Sequence, residues 1–142
     1  MGGRGASLGS SYLWKGKEHT YSDEYKTLFQ SGNIKFITPI SGSASTPLET
    51  KTRGRIYVTI NARNNIKAIT YYDKSNKKYK QIDVTGNRHK INGKLELPHT
   101  HLGYDKHNAN EKSTRVLTPK EKKMIDRVIK SWNYYLSNRS HE

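Results

Sequence analysis

Between Arg55 and Val84 the chain runs in short apolar stretches parted by polar turns, and the first of them alternates cleanly. Ile56, Val58 and Ile60 point one way, and Arg55, Tyr57 and Thr59 the other, as they do along a half-buried strand. Asn61-Ala-Arg-Asn-Asn makes a turn and Ile66 to Tyr72 the next strand. After a second turn from Asp73, Tyr79 to Val84 follows with Ile82 and Val84 on one face. Short strands joined by polar turns read as an antiparallel meander. Beyond breaks at Thr85-Gly86-Asn87 and Asn92-Gly93, Lys94 to Leu97 adds one more extended piece.

The layer that covers this sheet is written at the other end of the chain. Thr118 is placed to cap a helix, Pro119 occupies its first position and Glu121 completes a capping box. Ile125, Val128, Trp132, Tyr135 and Leu136 then recur at helical spacing. Lys122, Lys123, Arg127 and Lys130 take the opposite, wet face. The pattern predicts a helix to about residue 136, roughly 27 Å long, with Trp132 in the core.

The N-terminal third is less regular. Ser22 to Gln30 reads as a short helix, capped by Ser22, favoured by Asp23 and Glu24 at its positive end and stopped by Gly32. Asn33 to Thr38 reads as a short strand and residues 39–52 as a loop. Residues 1–20 are rich in Gly and Ser, without period, and interrupted by Tyr12, Leu13 and Trp14. The expected fold class is therefore α+β: a small antiparallel sheet, a long C-terminal helix packed on one face, and a mobile N-terminal arm. Residues 1–20 are the arm, and residues 21–142 a single basic α+β domain that binds nucleic acid.

Composition narrows the partner. Only 32% of the 142 residues are hydrophobic, and mean hydropathy is -0.97. No apolar run approaches the ~20 residues that span a bilayer, so no membrane partner is expected. The N-terminus has no apolar core of a secretory signal, and no cysteine is present, which excludes disulfides and thiolate zinc sites. The net charge is +14, and it is concentrated: residues 51–94 hold twelve Lys and Arg against two acids. A compact segment so charged calls for a polyanion, and RNA is the expected one. Arg53, Arg55, Lys77, Lys78, Lys80 and Lys94 are the candidate phosphate contacts.

Four of the six histidines fall between residues 89 and 107. His99 and His101, two apart, project from one face of an extended chain, about 7 Å from each other. Two imidazoles titrating near neutrality can serve as general base and general acid in metal-independent RNA cleavage, leaving a 2′,3′-cyclic phosphate. Arg88, Lys90 and Lys94 would stabilise the phosphoryl charge, and Tyr104 or Thr100 could add a hydrogen bond. Metal ligation by His99, His101 and His107 with Asp105 is the competing chemistry. The cationic surroundings weigh against a dication, so no cofactor is expected.

The opening Met1-Gly-Gly-Arg-Gly-Ala-Ser resembles the start of small proteins encoded by phages and prophages of Gram-positive bacteria. Tyr71-Tyr72-Asp73, Lys80-Gln81-Ile82-Asp83, Pro98-His99-Thr100-His101 and Leu117-Thr118-Pro119-Lys120-Glu121 resemble their C-terminal part, and their order is similar to that of small toxin-type ribonuclease domains. The resemblance covers roughly residues 54–136. It implies a phage-encoded protein in the cytoplasm of an infected host, directed at host defence such as CRISPR guide RNA. A non-enzymatic inhibitor of the anti-CRISPR type, bound to a host CRISPR nuclease or its guide RNA complex, is the alternative, and a capsid-associated protein the third.

Overall fold

A computed structural model describes residues 11–14, 17–20, 24–40, 46–85, 89–91, 94–96, 98–104 and 114–139. Its centre is a seven-stranded sheet crossed by one long helix, the α+β architecture that the patterning predicts. In chain order, strands β1 (Ser11–Trp14) and β2 (Lys17–Thr20) pair with each other. The sheet takes β3 (Tyr25–Ser31), β4 (Ile34–Pro39), β5 (Ile56–Ile60), β6 (Ile66–Tyr72) and β7 (Lys78–Asp83). β8 (His89–Ile91) and β9 (Lys94–Glu96) form a separate antiparallel pair. β10 (His99–Leu102) and β11 (Thr114–Arg115) complete the large sheet, and α1 spans Pro119–Arg139. The strand order is β11-β10-β7-β6-β5-β4-β3. Every pairing is antiparallel except β4 with β5.

The alternation along β5, and Ile82 on β7, sort the two faces as expected. Ile34, Phe36, Val58, Ile60, Ile69 and Ile82 are buried beneath Ile125, Val128 and Trp132 of α1. Trp132 is a core residue: its ring stacks near Phe36, with centroids 5.9 Å apart, and its indole N–H donates to the Asn64 carbonyl. The helix begins as its sequence dictates. The Glu121 amide donates to Thr118 Oγ1 and the Thr118 amide to Glu121 Oε1, a reciprocal capping box.

The other face holds Tyr25, Ile37, Tyr57 and Tyr72. Because β4 and β5 are parallel, the chain between them must cross the sheet. Its described part, residues 46–55, does so over this tyrosine face. The Tyr72 hydroxyl donates to the Pro47 carbonyl, Thr50 and Tyr57 approach each other through their hydroxyls, and Lys78 N–H donates to the Leu48 carbonyl. Two layers therefore cover the sheet, a helix on one side and an irregular strap on the other.

One expectation is corrected. Of the helix read over Ser22–Gln30, Ser22 and Asp23 lie outside the described residues, and from Tyr25 onward the chain is strand β3, paired with β4 from Tyr25↔Pro39 to Ser31↔Ile34. Gly32, at φ +62°, is not a helix stop but half of the two-residue connection Gly32-Asn33. Within the expected arm, residues 1–10 lie outside the described residues, while β1 and β2 are paired strands. No helix among the described residues is long and apolar enough to cross a membrane.

Candidate functional site

Antiparallel pairing of β10 with β7 sets His99 opposite Asp83, Thr100 opposite Ile82 and His101 opposite Gln81. Ile82 faces the helix, so Asp83, His99, Gln81 and His101 all face the strap side. His99 is 0% exposed, and Asp83 and His101 are buried with it. Their donor atoms converge. The two histidine Nε2 atoms are 2.9 Å apart, and Asp83 Oδ2 lies 2.9 Å from that of His101 and 3.4 Å from that of His99.

Asp83 and His101 are each held from behind. The Gln81 side-chain amide donates to Asp83 Oδ1 at 2.6 Å. Gln81 Oε1 in turn accepts from the Thr46 hydroxyl and from the Lys78 ammonium. Thr114 Oγ1, on β11, sits 3.2 Å from His101 Nδ1. Oδ2 of the carboxylate and the Nε2 atoms of the two rings thus converge on a common centre.

Thr100, between the histidines, serves the opposite face. Its hydroxyl donates to Glu121 at the head of α1. Glu121 also takes a two-pronged contact from the Arg115 guanidinium, at 2.7 and 2.8 Å, and an ion pair from Lys80 at 3.1 Å. Burial alone would raise its pKa, but bonds from Arg115, the Thr118 amide, Lys80 and Thr100 outweigh it and hold the pKa at about 2.

The expected residues thus separate into groups. His99 and His101 come together as a pair, but with their reactive nitrogens in contact. An acid and a base in RNA cleavage must stand on two sides of a phosphorus, and 2.9 Å leaves no room for it. The Tyr104 hydroxyl donates to Glu49 on the strap. Arg88, Asp105 and His107 lie outside the described residues, as do the side chains of Lys90 and Lys94. Asp83, absent from the candidates, completes the cluster. Its signal was available: Ile82 and Val84 on the core face put Gln81 and Asp83 on the other, ready to meet a His-x-His strand.

The candidate phosphate contacts divide as well. Arg55 is buried, with its guanidinium on the Asn33 carbonyl, and Lys78 is buried on Gln81. Lys80 is turned to Glu121 and lies over the Tyr71 ring at 4.2 Å. Arg53 and Lys77 are exposed. Arg53 lines a groove of about 370 Å³ with Gly54, Tyr72, Asp73, Lys74 and Tyr79. Tyr79 is 43% exposed there.

Comparison with protein-family models, curated proteins and solved structures gives no match.

Proposed function

We propose that the protein binds single-stranded RNA at the end of the sheet where β5 begins and β6 turns into β7. One observation carries the reading: a half-exposed aromatic ring, Tyr79, lies in a groove with Arg53 and Lys74, and exposed Lys77 follows in the same turn. Stacking on a tyrosine is indifferent to base identity, and cations along a groove track the phosphates. Single strands suit such a site because their bases are free to stack. Of the charge in residues 51–94, Arg53, Lys74 and Lys77 are the part this reading uses; Arg55 and Lys78 serve the interior. With the resemblance to phage proteins, the proposed target class is host RNA, CRISPR guide RNA included.

The test is fluorescence anisotropy of a labelled RNA oligonucleotide against salt, in the presence of EDTA. Neutralising Arg53, Lys74 and Lys77 together (R53Q, K74Q, K77Q) should flatten the slope of log affinity against log salt by about 2 units, at roughly 0.7 per contact. Tyr79→Ala should weaken binding by about 1–3 kcal/mol and leave that slope unchanged. An unaltered slope in the triple variant overturns the reading. Capture of a host ribonucleoprotein without affinity for free RNA replaces it with the inhibitor alternative.

A further inference from the structure

We infer that Asp83, His99 and His101 form a binding site for one divalent d-block ion, with zinc the ion whose chemistry fits best. The three donor atoms bound a triangle with edges of 2.9, 2.9 and 3.4 Å. Its corners lie about 1.8 Å from its centre, so an ion about 2.0–2.1 Å from each donor stands roughly 1 Å out of their plane. Donors around a tetrahedral ion of that size are about 3.3–3.4 Å apart, and the triangle reaches this by moving a few tenths of an ångström.

Hydrogen bonding alone is a poor account of the same geometry. Three buried atoms face one another, two of them ring nitrogens that carry at most one proton each. A proton on one Nε2 can be directed at the other ring or at the carboxylate, but it cannot satisfy both contacts. A cation at the apex satisfies all three lone pairs at once.

The surroundings prepare the donors for this role. A proton on His101 Nδ1, directed at Thr114 Oγ1, leaves Nε2 with its lone pair toward the ion. Gln81 holds Oδ1 of Asp83, and Oδ2 faces the two imidazoles. The Lys78 ammonium, which would oppose a dication, is turned onto Gln81 Oε1, so the amide stands between it and the carboxylate. Two imidazoles and one carboxylate suit zinc and its d-block neighbours, whereas magnesium and calcium prefer all-oxygen sets. The set differs from the one expected from sequence in taking its carboxylate from β7.

The chain, expressed without a polyhistidine tag, is stripped with chelator and titrated with Zn²⁺, and separately with Co²⁺. The expected result is one equivalent per chain and the visible ligand-field bands of four- or five-coordinate Co²⁺. Asp83→Asn, His99→Ala and His101→Ala should each abolish the bands and the stoichiometric uptake. Thr114→Val, which removes only the contact to His101 Nδ1, should weaken uptake by roughly 10–100-fold. Near-UV circular dichroism identifies any ligand variant that does not fold, and Thr114→Val then decides. Failure of the wild type to take up an equivalent, or uptake unchanged in the folded variants, overturns the inference. RNA affinity in EDTA is read independently, so this proposal and the preceding one fail separately.

Discussion

Replacing Glu121 by Gln tests the electrostatic arrangement at the head of α1. The carboxylate is 2% exposed and gathers Arg115, Lys80, Thr100 and the Thr118 amide. Those partners hold its pKa at about 2 against burial, compared with about 4.5 for a free carboxyl. That depression is worth roughly 3 kcal/mol of stability at neutral pH. Solvent reaching Arg115, whose side chain is 35% exposed, screens part of this and leaves about 2–3 kcal/mol. The native pKa is depressed, so the stabilisation is complete above about pH 4.5 and is lost as pH falls toward 2. Glu121→Gln keeps an oxygen for the Thr118 amide but removes the charge. It should lower the melting temperature at pH 7 by about 5–10 °C, and urea unfolding should lose the same 2–3 kcal/mol. Between pH 4.5 and 2 the wild type should converge on the variant. A variant as stable as wild type at pH 7, with a parallel pH profile below 4.5, refutes the reasoning.

Trp132→Ala empties the contact between α1, Phe36 and the Asn64 carbonyl and should cost about 3–5 kcal/mol in chemical denaturation. Arg55→Met should leave RNA affinity and its salt slope unchanged, because the guanidinium is buried on Asn33 rather than offered to phosphate. Burial, then Glu121 and Tyr79, push the Tyr71 phenol up to about 12. An unfolded tyrosine ionises near 10, so stability should hold below pH 10 and decline above it. Tyr71→Phe should show a shallower alkaline decline in thermal melts at pH 9 to 11.

The elements that were legible were those whose local chemistry and tertiary role agree. Ile56, Val58 and Ile60 alternate because one face of β5 lies under the helix. Thr118 and Glu121 announce the start of α1 because capping is a contact between neighbours. Tyr25 to Gln30 misleads because the Ser-Asp-Glu before it is good cap chemistry, while the decisive partner, β4, lies across a turn. Gly32-Asn33 supported either reading: a glycine at positive φ ends helices and also joins hairpin strands. At the site, His-x-His was visible as a pair. What the pair faces depended on register: Asp83 stands sixteen positions from His99 in sequence and directly opposite it in the sheet. Exposure was the other illegible quantity. Arg55 and Lys78 look like Arg53 and Lys77 in a list of cations, and only the strap over the tyrosine face distinguishes them.

Strand β10 writes two messages in alternating letters. His99 and His101 belong to the cluster on the strap side, and Thr100 belongs to the head of the helix. The segment should therefore tolerate substitutions and frameshifts of register very differently. A change at Thr100 removes one hydroxyl from Glu121 and spares the imidazoles. Losing or gaining a single residue just before His99 exchanges the faces of everything downstream in the strand. Both histidines would then turn toward the helix, and Glu121 would meet an imidazole where it had a hydroxyl. Variants of this protein that accept length changes should carry them in the connections, with β10 itself kept in step.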